Sequence, residues 1–428
     1  MILGNIFLGL AALAGGPSLT SIEAGHIHMQ RKEWIADQEV RISNDMGDIF
    51  TEQAVIKEEK NTIHSIIFPK ECLIHFKDAS KIFSEITNFD FLKNKAVFHS
   101  KQAVMYQDTW NVNQNFVSID FLAKKITCLF KEKKPFCLWG QENISFHIND
   151  THHLLCDFLF YQKAPKFAFA WAKKEAKCRL WHNQEWMEAD RLIFHGSEKE
   201  IQAVNAQGLT KFGDNLLQFQ ARFLHLMENE LFMKSSAKIQ EEHFTFIGPL
   251  LHIVKNKEAY PHKIYLIEAA RGGTFEAFLN GSLMQIHALG PASFQRNARS
   301  IYSTGSSKDS LQITYENITA SCISAHAALD ENLAMQSLQL SGNIHIIWQN
   351  PSTGRQVIAI GDEMFWYPIE QFVILSANGQ NKVQIIEENS ALQTFSDSVY
   401  LQMTELGPVI KTPGSLKARI FPHKEADL

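Results

Sequence analysis

The chain has 428 residues, of which 45% are hydrophobic and 20% are charged, and this balance excludes a generally disordered protein. Its length exceeds what one ordinary hydrophobic core requires, so we expect two domains or one long stack of repeats. The net charge of −5 provides no electrostatic basis for binding nucleic acid, which is therefore not among the predicted partners.

The first segment of the chain is apolar, and its first charged side chain is Glu23. The apolar run is shorter than the roughly 20 residues that cross a bilayer. Its Ala-Leu-Ala sequence at 12–14 fits the cleavage pattern of a secretory signal, although no Lys or Arg precedes the run. We interpret residues 1–22 as a signal peptide or an N-terminal anchor, with buried N-terminal structure as the alternative, and expect export.

Alternation of apolar and polar residues is the main pattern in the rest of the chain. It is clear in 117–121, 219–223, 338–348 and 399–403, where it predicts strands with one buried face. Such strands are typical of antiparallel sheets, because strands buried on both faces read as continuous apolar runs. Turn sequences such as Asn-Asp-Met-Gly at 44–47 separate the strands at short intervals and favour an all-β stack, sandwich or barrel.

Few helices are predicted, and the domain divisions follow changes in composition. Residues 20–31 and 164–177 are compatible with helices, and the second segment is equally compatible with a strand followed by a basic turn. Residues 61–180 are richer in Phe and Cys, which leaves open a divergent repeat block or a separate domain. The predicted divisions are the signal peptide or anchor at 1–22, a divergent β-domain at 23–180, a repeat β-domain at 181–412 and a tail at 413–428.

A short phrase recurs along the chain. A small residue followed by a polar one opens a strand–turn–strand segment that ends near a Gly. The phrase begins at 189–190, 325–326, 361–362 and 396–397, and the last three starts are 36 and 35 residues apart. A period of this size is typical of stacked repeats, in which each unit buries its apolar face only against its neighbours.

Four segments carry a family resemblance: 188–208, 325–344, 361–383 and, near the N-terminus, 36–55. Their order of small residue, polar residue, strand, turn and closing Gly resembles the OstA-like family of lipopolysaccharide-transport proteins. That family includes a periplasmic bridge protein, an anchored protein and the N-terminal domain of an outer-membrane translocon. The resemblance implies an elongated, twisted, antiparallel β-jellyroll or "β-taco" stack.

The resemblance also implies a function. It indicates a non-catalytic periplasmic protein that shields lipopolysaccharide acyl chains in an apolar groove during transport to the outer membrane. The implied partners are the lipid A acyl chains, other transport-bridge proteins that add strands at the ends of the stack, and further copies of the chain. The implied location is the periplasm, with an inner-membrane anchor or an association with the outer membrane.

The residues expected to line the groove are the apolar positions of the clearest repeats. An open slot between strands suits acyl chains, because each buried methylene contributes about 0.8 kcal/mol. Packing within the strand core is the alternative, above all for the aromatic residues at 365–367, since strands favour aromatics in any case. The predicted lipid-binding residues are Leu338, Leu340, Ile344, Ile346, Trp348, Met364, Trp366, Val399 and Leu401.

Motifs of common catalytic sites do not occur in the sequence, which has no Gly-x-Gly-x-x-Gly, His-Glu-x-x-His or Gly-x-Ser-x-Gly. The histidines at 152–153 with Cys156 fall short of the three or four regularly spaced ligands that zinc requires. The six cysteines form no framework, so we interpret them as buried or free thiols. We predict no enzyme and no cofactor or metal. The alternatives are an exported structural β-solenoid that binds proteins without lipid and, third, an enzyme that acts on polysaccharide.

Overall fold

A computed structural model describes residues 19–420 with short gaps. The gaps are at 31–32, 60–61, 113–114, 150, 197–199, 213–214, 228, 243, 256–264, 298, 307–309, 333, 350, 352–353, 380, 388–391, 405–406 and 413–416. The chain divides into two compact units between Gly208 and Leu209. The described residues of both units are strands, turns and bends, and none of them is helical. The all-β prediction is therefore confirmed.

The strands are numbered in chain order. Those that begin in the first unit are β1 (Leu19–Glu23), β2 (His26–Gln30), β3 (Glu33–Asn44), β4 (Gly47–Glu59), β5 (Thr62–Phe68), β6 (Cys72–Phe76), β7 (Lys81–Ser84), β8 (Ile86–Asp90), β9 (Lys95–Val112), β10 (Asn115–Lys131), β11 (Lys134–Ile148), β12 (His152–Gln162), β13 (Phe167–Trp171), β14 (Cys178–His182), β15 (Glu185–Ala189), β16 (Arg191–His195) and β17 (Glu200–Phe212).

Nineteen strands begin in the second unit. They are β18 (Asn215–Leu226), β19 (Glu230–Gln240), β20 (Phe244–Lys255), β21 (Tyr265–Ala269), β22 (Gly273–Leu279), β23 (Ser282–Ala288), β24 (Ala292–Arg296), β25 (Ser300–Gly305), β26 (Leu311–Tyr315), β27 (Ile318–Cys322), β28 (Ser324–Leu329), β29 (Met335–Gln349), β30 (Gln356–Tyr367), β31 (Phe372–Ser376), β32 (Val383–Glu387), β33 (Leu392–Ser396), β34 (Ser398–Thr404), β35 (Gly407–Lys411) and β36 (Lys417–Ile420).

Each unit consists of two antiparallel sheets, here called walls, that share their long strands. In the first unit, wall A runs β2-β3-β4-β5-β8-β9-β10-β11-β12-β13-β16-β17, and wall B runs β1-β3-β4-β6-β7-β9-β10-β11-β12-β14-β15-β17. In the second unit, wall C runs β18-β19-β20-β22-β23-β26-β27-β29-β30-β32-β33-β36, and wall D runs β18-β19-β20-β21-β24-β25-β28-β29-β30-β31-β34-β35. A long strand gives one half to each wall.

The long strands pass between walls at a crease, where the pairing register shifts. In β3, the pairs Asp37↔Gln53 and Val40↔Thr51 flank a bulge, and the two residues between them have positive φ angles of 66° and 48°. Comparable pairs of residues with positive φ occur in β11, β19 and β29. In β29, one residue of the pair is Gly342. A bulge bends its strand and increases its twist, so these insertions turn the chain from one wall into the other.

The recurring phrase of the sequence lies at this crease. The inner faces of two walls converge there, and the small residues of the phrase are buried: Ala36 and Ala189 are fully inaccessible. Gly140 shows the limit of the space, since an added Cβ would lie 2.4 Å from the Phe121 ring. The polar residue that follows faces outward; Asp362 Oδ2, for example, accepts a hydrogen bond of 2.7 Å from the backbone N–H of Asn378.

The period also has a structural meaning. From 325 to 361 the chain forms one hairpin on wall D, through β28 and the first half of β29, and one hairpin on wall C, through the second half of β29 and the first half of β30. The stretch from 361 to 396 repeats this order with β30 to β33. One repeat is therefore one hairpin per wall.

Several local predictions can be compared with the structure. The helix considered at 20–31 is wrong: its described residues form β1 and β2, which pair with the two halves of β3. Residues 164–177 follow the strand-and-turn alternative as β13 and the turns around it. The predicted boundary at 180/181 lies inside β14, and 61–180 continues the two-wall pattern. Residues 1–18 of the predicted signal or anchor, and most of the tail, lie outside the described residues.

Candidate functional site

The candidate site of each unit is the space between its two walls. Along the long strands, alternate residues point inward and are buried, as Leu154 and Cys156 show in β12. The walls are joined at the crease, and their free turns form a mouth on the opposite side. Side chains near the mouth either meet across it or leave a slot.

The first unit contains an apolar slot of about 400 Å³ near the mouth. Strands β10, β11, β12 and β14 supply one side from wall B, and β13, β16 and β17 supply the other from wall A. This volume is the space bounded by the described residues. The apolar lining includes Val117, Phe146, Ile148, Leu154, Leu180, Ala168, Phe194 and Ile201.

Polar residues are confined to the edge of this slot. Lys166, half-buried before β13, lies at the wall A edge together with Glu200, and His152 lies at the wall B edge. The His152 ring stacks on His182 with centroids 3.9 Å apart. Burial, followed by the nearby His182 ring, holds the pKa of His152 below its usual value, so the imidazole is predominantly neutral at pH 7. The slot is thus apolar inside, with an ammonium, a carboxylate and an imidazole at its edge.

Beside the slot, ion pairs close the mouth. The Lys163 ammonium, which follows β12 on wall A, lies 2.9 Å from Asp78 Oδ2 and 2.9 Å from Asp108 Oδ1 on wall B. Tyr106 donates a further hydrogen bond of 3.2 Å to Asp108. Lys133, in the β10–β11 turn of wall A, makes a second ion pair of this kind with the carboxylate of Asp45 in the β3–β4 turn of wall B.

The Lys163 cluster is largely withdrawn from water. The Asp108 side chain is 1% exposed, that of Asp78 is 14% exposed and that of Lys163 is 21% exposed. Burial by itself would raise the pKa of Asp78, but hydrogen bonds from Ser80 and Lys163 outweigh it and hold that pKa below its usual value. Asp78 therefore remains ionised near neutral pH, and the cluster links the two walls.

The predicted groove residues lie in the second unit, on the inner faces of walls C and D. There most of them surround a space of about 40 Å³, compared with about 400 Å³ for the slot in the first unit. Ile344 and Val399 are fully buried and do not line this space. The other seven predicted residues do: Leu338, Leu340, Ile346, Trp348, Met364, Trp366 and Leu401.

Contacts across the mouth account for the small space in the second unit. The Tyr315 ring of wall C packs edge-on against Trp366 of wall D with centroids 5.1 Å apart. The Asn280 side chain of wall C accepts a hydrogen bond of 2.9 Å from the backbone N–H of Met335 in wall D. Aromatic and polar contacts here replace the ion pairs of the first unit.

Sequence reasoning missed the slot of the first unit. Its lining strand β11 alternates Ile144, Phe146 and Ile148 as regularly as the strands selected in the second unit. The recurring phrase is poorly preserved in 61–180, however, and the prediction followed the phrase. A well-preserved phrase marks the crease, where the two walls converge. It does not indicate how wide the slot near the mouth is.

The cysteines are buried in the interior of the two units. All six cysteines are buried, and burial raises the pKa of Cys72 to about 12, which keeps the thiol protonated. Across the described ranges, no group of three or more His, Cys, Asp or Glu side chains has an arrangement that could hold a metal.

Comparison with known proteins adds no identification. Within the part of the chain that the structure describes, no helix has the length and apolar character needed to cross a membrane. No protein-family model matches the chain, and no curated protein matches it at a significant level.

Proposed function

We propose that this protein is a non-catalytic periplasmic carrier that holds lipopolysaccharide acyl chains between its two walls. The observation that carries the proposal is the slot of about 400 Å³ in the first unit. Its interior is lined by aliphatic and aromatic side chains, so each methylene transferred from water contributes about 0.8 kcal/mol. The amphipathic arrangement of apolar floor and polar edge matches a ligand with acyl chains and a charged headgroup.

The Lys166 ammonium at the slot edge supports an anionic headgroup. A phosphate near this ammonium would gain a charge-assisted hydrogen bond while its acyl chain lies against Phe146 and Phe194. His152 adds a hydrogen-bonding group on the opposite wall. In this proposal the second unit has the same two-wall construction, with contacts across its mouth. Other transport proteins join the chain by adding strands at free sheet edges.

A matched pair of photo-crosslinkers tests the proposal. Ile201 lines the slot, whereas its neighbour Gln202 pairs with Ile193 on the outer side of β17. With a benzoylphenylalanine at either position and purified lipopolysaccharide as the probe, we expect crosslinks from position 201 and not from position 202. Equal labelling at both sites, or labelling of 202 alone, would refute an inter-wall site.

The second candidate function is an exported structural protein that binds other proteins without lipid. The space of about 40 Å³ in the second unit favours it, because a nearly closed interior needs no ligand. The same crosslinking experiment separates the two functions. Absence of crosslinks at 201, with an intact fold shown by circular dichroism, would support the structural function.

A further inference from the structure

The outer face of wall A in the first unit is unusually aromatic at one place. The strand β13 alternates small inward residues, Ala168 and Ala170, with large outward ones. Its outward residues pair with outward aromatics of β12: Phe158 opposes Trp171, and Phe160 opposes Phe169. One-sided antiparallel strands normally place polar residues outward. The group, here called the aromatic patch, comprises Trp139, Phe158, Phe160, Phe169 and Trp171.

The rings of the aromatic patch form one layer on the surface. Phe158 and Trp171 stack at 5.2 Å between centroids, Trp171 and Phe169 at 5.1 Å, and Trp139 lies 4.8 Å from Phe160. Trp139 is 36% exposed, and the others are half-buried because they cover one another. A continuous exposed apolar patch of this kind marks a surface that binds a membrane or another protein.

Basic residues border the aromatic patch. Residues 163–179 contain five Lys, one Arg and one acidic residue, Glu175. Three of these basic residues, Lys163, Lys177 and Arg179, are paired with the carboxylates of Asp108, Asp190 and Glu188. The exposed turn that follows β13 carries Lys173, Lys174 and Lys177. The Lys173 ammonium lies 6.0 Å from the centroid of the Phe158 ring, at the edge of the patch.

We propose that the aromatic patch docks the first unit on the interface of an anionic phospholipid bilayer. Trp and other amphipathic aromatics are favoured at the headgroup level of membranes, and Lys residues beside them are attracted to anionic headgroups. The combination of an aromatic layer with the exposed Lys173 and Lys174 at its border matches the interface of an anionic bilayer. The patch lies outside the walls, so docking does not depend on the slot between them.

Vesicle binding by the full chain tests the proposal. With vesicles of phosphatidylethanolamine and phosphatidylglycerol, we expect Lys173→Glu/Lys174→Glu to weaken partitioning at least about tenfold, because each basic residue contributes about 1 kcal/mol near an anionic surface. Phe169→Ser/Trp171→Ser should abolish binding. The matched control is Phe372→Ser/Tyr400→Ser, which removes a stacked outward pair from wall D, with centroids 5.6 Å apart, and should leave binding unchanged.

A second measurement guards against loss of folding in the serine variant. Brominated acyl chains in the vesicles should quench tryptophan fluorescence of the unaltered chain, and Trp139→Phe/Trp171→Phe should remove most of that quenching while vesicle binding is retained. Unchanged partitioning of the Lys173→Glu/Lys174→Glu variant, or a patch-dependent dimer without vesicle binding, would overturn the proposal. Crosslinking at position 201 reports the slot separately, so failure of one proposal is distinguishable from failure of the other.

Discussion

At the residue scale, the clearest electrostatic feature is the Lys163 cluster across the mouth of the first unit. Asp108 is almost fully buried and lies 2.9 Å from the Lys163 ammonium, so removing either partner would leave an uncompensated polar group away from water. The exposed pair Lys70–Glu52, with an N–O distance of 3.1 Å, has the same chemistry without the burial. Exposed pairs of this kind contribute about 0–1 kcal/mol to stability.

We expect Lys163→Met to destabilise the protein by about 2–3 kcal/mol, somewhat less than for a fully buried pair, because Lys163 remains 21% exposed. Lys70→Met is the control and should change the urea midpoint little. The pKa of Asp78 is lowered in the folded state, so its contribution is complete above the unfolded-state value of about 3.9 and is lost as the pH falls further. An acid titration in which the two variants lose stability in parallel would contradict this account.

At the element scale, the crease explains why small and polar residues recur together. In the middle of β30, the outward carboxylate of Asp362 caps the turn after β31 by accepting the Asn378 N–H at 2.7 Å, and Asn381 donates to the same oxygen at 3.2 Å. The inward Gly361 has no room for a Cβ, which would lie 2.8 Å from the Leu375 side chain. Gly361 therefore limits the space at the crease, and Asp362 fixes the turn after β31.

Asp362→Ala should therefore loosen the turn after β31 without disrupting the walls. The loss of a hydrogen bond to a charged group is expected to cost about 1–2 kcal/mol. Hydrogen exchange should accelerate in the peptide that contains Asn378, while peptides from β18 and β19 keep their protection. Asp362→Asn retains an acceptor oxygen, so its exchange rate should lie between those of Asp362→Ala and the unaltered chain. An exchange pattern of Asp362→Ala identical to that of the unaltered chain would show that the carboxylate has no role at the crease.

At the scale of the whole molecule, the two units combine one construction with different interiors. The first keeps a slot of about 400 Å³ beside its ion pairs, and the second closes to about 40 Å³. Ala168 lines the first space and Ala359 lines the second, and both are nearly inaccessible. The same enlargement of these two residues should therefore have opposite consequences.

Ala168→Phe should fill the slot, reduce lipopolysaccharide crosslinking at position 201 and leave the melting temperature nearly unchanged. Ala359→Phe should lower the melting temperature, because overpacking a closed interior costs about 1–3 kcal/mol, and should leave crosslinking at 201 intact. Thermal unfolding and crosslinking of both variants provide the test. A large loss of stability in Ala168→Phe would mean that the slot collapses in solution.

The sequence by itself determined the all-β architecture, the antiparallel pairing and the inward faces of strands such as 338–348, because side chains alternate with a period of two and only one face is apolar. The repeat also marked the small–polar pairs at 36–37, 189–190 and 361–362, which the structure places at the crease, where a small residue fits between converging walls. The width of each slot depended on contacts between distant residues, such as Lys163 with Asp78 and Tyr315 with Trp366. Local patterns carry no information on which turns meet across a mouth, so only the tertiary structure decided how much space lies between each pair of walls and that aromatic side chains of β11, β12 and β13 group on the outside of wall A.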